Sequence, residues 1–188
     1  MTSILSIPAL KKASYEDVAA SLGLLFEPTE ALNKLIYSAL VEPPAVATTY
    51  STYPELIESV RFLLLSQPIP SSASALNPAI ANIISAHPRL GAKKVDSAQS
   101  QAEQASLQRD PKDLERVRVL NEEYEKTFPG LRYVVFVNGR PLPEIIANME
   151  ARIARNNFAA ECKEAFNAMC DIAIDRSKKL RIKGDSNI

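Results

Sequence analysis

The sequence predicts an all-α fold: a single domain over residues 1–188, arranged as a multi-helix bundle with one short extended segment near residues 131–137. Apolar residues recur at three- and four-residue steps along most of the chain, which is the spacing of one helix face. Many of these stretches begin with residues that commonly start helices. Only residues 131–137 (LRYVVFV) combine β-branched and aromatic residues as a strand or an extended buried segment does.

The length and the hydrophobic content predict one domain with a substantial core. Of the 188 residues, 46% are hydrophobic, and a chain of this size commonly forms one domain. We place the core within about residues 14–182. The tail KGDSNI is expected to be loose, because chain ends are poorly ordered unless they are tied down.

The helices predicted in the first third of the chain have recognisable starts. Ser14 is the predicted N-cap of a helix that Gly23 is expected to end. The stretch PTEALNKLIYSAL continues as a second helix. After a connection broken by prolines, Thr52 and Glu55 have the spacing of a capping box at the start of TYPELIESVRFLLL.

Further helices are predicted in the rest of the chain, two of them with an N-cap followed by proline. Their predicted positions are Asn77-Pro78 onward, residues 100–108 (SQAEQASLQ), Asp110-Pro111 onward, Pro143 onward, and Phe158 to about Leu180. Asn138-Gly139 is typical of a hairpin turn. Prolines follow at 141 and 143, however, so a partner strand is not expected there.

Charge and glycine content disfavour several function classes. Lys and Arg number 22 and Asp and Glu number 22, so no basic face for nucleic acid or an anionic membrane is expected. No apolar run approaches the roughly 20 residues of a membrane helix, and the N-terminus does not resemble a secretory signal. Glycine-rich phosphate loops are absent, which disfavours the usual nucleotide-binding enzymes. One histidine and two cysteines provide no zinc ligand set.

The cysteines Cys162 and Cys170 are predicted to be reduced core thiols of an intracellular protein. They lie eight residues apart in a helical segment, which separates them by about 12 Å along the helix axis. That distance is too long for a disulfide between them. A nucleophilic pair of either thiol with His87 is disfavoured, because both lie in or beside an apolar stripe.

The only histidine, His87, stands directly before Pro88 at the predicted end of an apolar helix. A residue before proline is restricted to extended conformations, so we expect the ring to project freely from the helix end. Histidine is the side chain whose ordinary pKa suits proton transfer near neutral pH. Taken alone, however, a surface or structurally satisfied histidine is the simpler interpretation.

Arg176 interrupts the apolar stripe of the last predicted helix. The stripe consists of Phe158, Cys162, Ala165, Met169 and Ile172. One further turn reaches Arg176, where the pattern calls for a hydrophobic residue. A buried arginine is usually paired or faces a ligand. The alternative is a side chain whose stem covers the core while its charged head reaches water.

Glu103 has the spacing of a capping box with Ser100, which by itself only starts a helix. A helix N-terminus is also an anion site, so an acid there can be held rigidly beside a substrate. Both interpretations stay open on the residues alone.

Four segments, taken in order and spacing, resemble the family of 2-oxo-4-hydroxy-4-carboxy-5-ureidoimidazoline (OHCU) decarboxylases. They are HPRLGAK, SQAEQ, LNEEYEKTFPGLRYVVFVNGR and RIARNNFAAECKEAFNAMCDIAIDR, and the resemblance covers about residues 14–182. It implies an all-α fold without cofactor or metal, commonly a homodimer. It also implies conversion of OHCU to (S)-allantoin, with loss of carbon dioxide, in uric-acid degradation.

The resemblance also implies roles for particular residues. The catalytic residues that it implies are His87, Glu103 and Arg176. The substrate contacts that it implies are Pro88, Ser100, Gln104 and the backbone from Tyr133 through Val135 to Val137.

Two other functions stay open: a non-catalytic helical binding or dimerisation module of the same fold, and a decarboxylase of a related ureide. We expect the protein in the cytosol by default. Some family members end in the peroxisomal signal Ser-Lys-Leu, whereas this chain ends in DSNI, so a peroxisomal location needs another route.

Overall fold

The computed structural model describes residues 3–41, 50–92, 100–101 and 110–182, and these residues are mainly helical. The helices are α1 (Ile7–Leu10), α2 (Tyr15–Leu25), α3 (Glu30–Ile36), α4 (Tyr53–Leu65), α5 (Pro78–Ser85), α6 (Pro111–Thr127), α7 (Leu142–Arg155) and α8 (Phe158–Lys179). A π-helical turn (Tyr37–Val41) follows α3, and a 3-10 turn (Ala73–Ala75) precedes α5. The predicted all-α class is confirmed.

Four predicted helix starts are observed, because local side-chain hydrogen bonds determine them. The predicted N-caps, each of which accepts a hydrogen bond from a first-turn backbone N–H, are Ser14, Thr52, Asn77 and Asp110. In the capping box, the Glu55 side chain also accepts a hydrogen bond from the backbone N–H of Thr52, at 3.3 Å. Each bond satisfies an N–H group that lacks a partner inside the helix.

Two predicted helix boundaries are wrong. Gly23 does not end α2, which continues to Leu25. Packing of the buried Leu22 and Leu25 extends the helix past this glycine, whose intrinsic cost in a helix is only about 1 kcal/mol. The helix expected from Pro143 begins one residue earlier, at Leu142. Pro143 can stand as its second residue because proline is tolerated in the first helical turn.

A parallel pair of two-residue strands was not predicted from the sequence. Strand β1 (Ser3–Ile4) pairs with β2 (Arg181–Ile182), with Ser3 opposite Arg181 and Ile4 opposite Ile182. Two residues are too few to show the alternating pattern by which a strand is recognised.

By its internal contacts the chain divides into two compact units. The first comprises Met1–Gln67 with Met169–Ile188, and the second comprises Pro68–Ala168. The single domain expected over residues 1–188 stays a prediction, and the tail KGDSNI lies outside the described residues. Among the described helices, none combines the length and apolar character needed to cross a membrane.

The predicted extended segment lies in the second unit, between α6 and α7. Residues 131–137 form neither helix nor strand, and Leu131, Tyr133 and Val134 are buried. Asn138 and Gly139 form a turn with positive φ angles of 47° and 72°. No strand follows this turn in residues 140–182 until β2, so the expectation that Asn138-Gly139 has no hairpin partner is confirmed.

Candidate functional site

Three sequence-predicted site residues are buried polar side chains. His87 is 4% exposed, Ser100 is 3% exposed and Arg176 is 3% exposed. Buried polar groups need hydrogen-bond partners, and charged residues are almost never fully buried unless they are paired. The burial of all three therefore calls for an explanation by partners or by a ligand.

The other predicted site residues differ in burial, and two of them lie outside the described residues. Pro88 and Val135 are partly exposed, whereas Tyr133 is buried. Glu103 and Gln104 lie outside the described residues, so their places stay predictions. Arg176 belongs to the first unit, and the other described candidates belong to the second.

His87 lies where the sequence places it, at the end of α5. Its backbone N–H donates a hydrogen bond to the carbonyl oxygen of Ile84, at 3.3 Å. Pro88 then ends the helix, since proline has no N–H to donate and restricts the residue before it. The freely projecting ring expected from the sequence is not found, because the His87 side chain is buried.

The backbone carbonyl of His87 is bound by Arg132, which lies beside the ion pair of Arg89 and Glu125. Arg132 donates from Nη1 to the carbonyl oxygen of His87, at 2.8 Å. Glu125 on α6 accepts two hydrogen bonds from Arg89, at 2.8 Å from Nε and 2.6 Å from Nη2. The same carboxylate lies 3.8 Å from Nε of Arg132. Glu125 therefore links the residue after Pro88 to the arginine that binds His87.

The turn after His87 also rests against α6. The buried side chain of Asn121 donates to the carbonyl oxygen of Leu90, at 3.0 Å. Gly91 has a positive φ of 75°, and a Cβ atom built there would lie 3.4 Å from Cγ1 of Val117. Glycine is favoured here by both its conformation and this close approach.

Tyr133 is a core residue and not a free phenol. Its hydroxyl is 2.6 Å from Oδ1 of Asn148, and the guanidinium of Arg152 lies 4.6 Å from its ring centroid. Burial raises the pKa of the Tyr133 phenol to about 12. The Tyr133 side chain is therefore engaged within the second unit, and the backbone contact with substrate that the family resemblance implies stays a prediction.

The backbone of the extended segment is partly used within the second unit. Arg152 donates to the carbonyl oxygen of Val134, at 3.0 Å, and Arg140 donates to those of Phe136 and Val137, at 2.5 and 3.2 Å. Among the described residues, none accepts a hydrogen bond from the N–H groups of residues 133–137. This edge of the segment can therefore donate to a polar ligand.

A buried ionic cluster beneath this segment was missed by the sequence analysis. Glu161 accepts hydrogen bonds from Nε of Arg152, at 2.8 Å, and from the hydroxyl of Tyr124, at 2.7 Å. It also pairs with Arg155, at 2.5 Å. Burial raises the pKa of the Glu161 carboxyl, but the hydrogen bonds and charges of these partners, Arg152 first, outweigh it and lower the pKa below its ordinary value.

The sequence does carry a signal for this cluster. The buried residues of α7 are Leu142, Ile145, Met149 and Arg152. An arginine therefore stands at the end of an apolar stripe, as Arg176 does on α8. The sequence prediction covered this interruption of an apolar stripe by a charge only at Arg176.

Arg176 has a buried acidic partner in the first unit. Its Nη2 lies 3.0 Å from Oε1 of Glu27, which is 6% exposed. Its Nη1 donates to the carbonyl oxygen of Leu25, at 3.3 Å. The charged head does not reach water, so the alternative of a snorkelling side chain is wrong. Glu27 was not singled out in the sequence, although it stands between the apolar run GLLF and Pro28.

The comparison that decides the family is a match over most of the chain. The model of the OHCU decarboxylase family matches residues 11–178. The chain belongs to the OHCU decarboxylase family. The resemblance stated for residues 14–182 is thereby confirmed.

A solved structure shares the fold of this OHCU decarboxylase family member. The crystal structure of an (S)-allantoin synthase matches 94% of this chain, with a TM-score of 0.59 and 17% sequence identity. The chain spans 54% of the length of that protein, and at this identity the likeness shows the fold alone. No curated protein matches the chain by sequence.

The cysteines of this family member are free, buried thiols, as predicted. Burial raises the pKa of Cys162 and of Cys170 to about 12 each. Both are therefore neutral near pH 7 and poor nucleophiles. Within the part of the chain that the structure describes, no group of three or more His, Cys, Asp or Glu side chains is arranged to hold a metal ion.

Proposed function

We propose that this chain catalyses the decarboxylation of OHCU to (S)-allantoin in uric-acid degradation. The match of the OHCU decarboxylase family model over residues 11–178 is the observation that carries the proposal. The similar solved structure is that of an (S)-allantoin synthase, whose name gives the same product.

The reaction breaks the bond between a ring carbon and its carboxylate. The electron pair of that bond passes into the adjacent ring imine, whose nitrogen takes up a proton, and carbon dioxide leaves. The hydroxyl-bearing carbon becomes a carbonyl by losing its hydroxyl proton, and a proton is added to the ureido-bearing carbon. Because the ring imine and carbonyl delocalise the electrons, we infer that the reaction needs no cofactor and no metal.

His87 is the proposed proton-transferring group. Histidine exchanges protons near neutral pH, and the held backbone of this residue gives the ring a defined place. Glu103 is proposed to orient the hydroxyl and ureido groups of the substrate or to share proton transfer with His87. Delivery of the proton to one face of the substrate ring gives a single enantiomer of allantoin.

Arg176 is proposed to bind anionic or carbonyl oxygens of the substrate. A guanidinium presents five N–H groups in a planar fork, and such a fork binds carboxylates bidentately. The ion pair with Glu27 supports this role, because it fixes the plane of the guanidinium before any ligand binds.

The remaining proposed substrate contacts are expected to hold the polar edge of the substrate ring in place. The N–H groups of Tyr133 and Val135 belong to the edge of the extended segment that no other described residue binds. The other proposed contacts are Pro88, Ser100 and Gln104.

The decisive experiment generates the unstable substrate in place. Urate is converted with uricase and hydroxyisourate hydrolase, the protein is added, and chiral allantoin is followed by circular dichroism. We expect faster formation of the (S) enantiomer than in the spontaneous decay. A rate equal to the spontaneous decay rejects the proposal and favours a non-catalytic binding module of the same fold. Activity on a related ureide, but not on OHCU, favours a decarboxylase of that ureide.

We further infer that the protein is a homodimer, which the family resemblance implies. Light scattering after size exclusion tests this, since the monomer mass is 20.6 kDa. A single monomer peak at working concentrations rejects the inference.

A cytosolic location is proposed as well. Two free buried thiols support it, because reduced cysteines are typical of the cytosol. Cell fractionation tests the location, and enrichment with peroxisomes contradicts it.

A further inference from the structure

The turn that carries His87, residues 87–91, is attached to α6 by side chains that the proposed mechanism does not use. Glu125 accepts both hydrogen bonds of the Arg89 fork and lies beside Arg132. Arg132 in turn donates to the backbone of His87. The Glu125 carboxylate thus binds Arg89, the residue after Pro88, directly and reaches His87, the residue before it, through Arg132.

The attachment follows one face of α6. Going along the helix, Val117 lies against Gly91, Asn121 binds the carbonyl of Leu90, and Glu125 binds Arg89. The three helix residues are spaced by four, as neighbours on one helical face are. The turn is therefore held along its length by one rigid element.

Backbone geometry at this turn determines where the imidazole lies. Pro88 fixes its own φ near −65° and restricts the conformation of His87. With the His87 carbonyl held by Arg132, little freedom remains in the direction of the Cα–Cβ bond. A displacement of about 1 Å in a catalytic group can reduce a rate about 100-fold.

From these contacts we propose that Glu125 is a positioning residue, which holds the His87 turn in the geometry required for proton transfer. This inference rests on the proposed decarboxylase function. Glu125 acts through Arg89 and Arg132 and does not itself touch the substrate.

The Glu125 site suits a test because we expect its substitution to leave the fold intact. The side chains of Glu125 and Arg89 are 26% and 47% exposed, and ion pairs with such exposure contribute little to global stability. Glu122, one turn earlier on α6, provides the matched control, since it also pairs with an arginine, Arg118, at 2.7 Å. Among the described residues, Glu122 accepts its hydrogen bond from Arg118 and acts on Arg89 through its charge alone, more weakly than Glu125 does.

The experiment compares Glu125→Gln, Glu125→Asp and Glu122→Gln in the full chain. For Glu125→Gln we expect kcat to fall about 10- to 100-fold with KM within about twofold of wild type. Glu125→Asp, which keeps the carboxylate, recovers part of the rate. Glu122→Gln keeps the wild-type kcat.

A second readout does not need activity. The chain has one histidine, so labelling of histidine with carbon-13 at Cε1 in untagged protein gives one ring signal by NMR. We expect Glu125→Gln to shift and broaden the His87 signal at fixed pH, and Glu122→Gln to leave it unchanged.

The outcomes separate the two proposals. Wild-type activity with an unchanged kcat and ring signal in Glu125→Gln overturns the positioning role and keeps the decarboxylase. An inactive wild-type protein rejects the decarboxylase function. If Glu125→Gln then still shifts the His87 ring signal, Glu125 has only a structural role, and the proposed positioning role in catalysis is also overturned.

Discussion

Arg176 and Glu27 form a buried ion pair, with 3.0 Å between Nη2 and Oε1 and with side chains that are 3% and 6% exposed. Two charges buried together attract strongly, but each has also lost its hydration. The pair therefore gives Arg176 a structural partner in addition to the catalytic role proposed for it, and the two roles can be separated experimentally.

Removal of one partner is expected to be costly. Glu27→Ala leaves the Arg176 charge buried without its carboxylate, which typically costs about 3–5 kcal/mol. The free energy of unfolding from urea titration measures this. Lys34→Met is the control, because it removes an exposed pair with Glu30 and leaves the unfolding midpoint near wild type. A Glu27→Ala midpoint equal to that of wild type contradicts the expectation.

The double variant Glu27→Leu/Arg176→Met separates structure from activity. Buried ion pairs can often be replaced by apolar residues without loss of stability. We expect this variant to be more stable than either single variant and to show no acceleration of allantoin formation. Stability losses that simply add, or a retained rate, argue against the paired roles of Glu27 and Arg176.

Substitution of His87 is expected to affect chemistry more than folding. General acid–base catalysis typically contributes about 100- to 10,000-fold to a rate, so His87→Ala and His87→Asn should lose most of the activity. The helical circular-dichroism spectrum should persist, since α5 ends before this residue. Wild-type kcat in either variant rejects the role of His87.

Glu161 is expected to make the second unit sensitive to acid. Its pKa is lowered in the folded chain from an ordinary value of 4.5, since the partners led by Arg152 outweigh the effect of burial. A lowered folded pKa contributes stability above the unfolded value and loses it as pH falls through the folded value. The wild-type unfolding free energy should therefore decrease as pH is lowered from about 4.5.

Two variants on α8 test this acid sensitivity. Glu161→Gln should be less stable at pH 7 and should lose less stability on acidification. Glu164→Gln is the control, because Glu164 is 43% exposed where it pairs with Arg155. Parallel pH profiles for wild type and Glu161→Gln speak against this assignment.

The thiols of Cys162 and Cys170 are expected to be unreactive in the folded chain. Burial raises the pKa of each to about 12, so almost no thiolate is present at pH 8. Mass spectrometry after treatment with iodoacetamide should show no adduct on native protein and two adducts in denaturant. Rapid labelling of native protein at either cysteine contradicts the prediction.

Parts of the candidate site were accessible from sequence because they depend on neighbouring residues. Pro88 places His87 at a helix end, and the stripe on α8 marks Arg176 as unusual. The ring of His87 is nevertheless buried, and that depends on residues distant in the chain. A local pattern carries no information about what covers a side chain.

The sequence by itself determined the helical class, the capped helix starts and the one non-helical buried run, since each depends on hydrogen bonds and apolar spacing within a few residues. Only the tertiary structure decided the partners of the candidate residues. Arg176 meets Glu27 across 149 positions of the chain, and Arg132 meets the backbone of His87 across 45. Such pairs form when packing brings distant segments together and burial makes an unpaired charge costly.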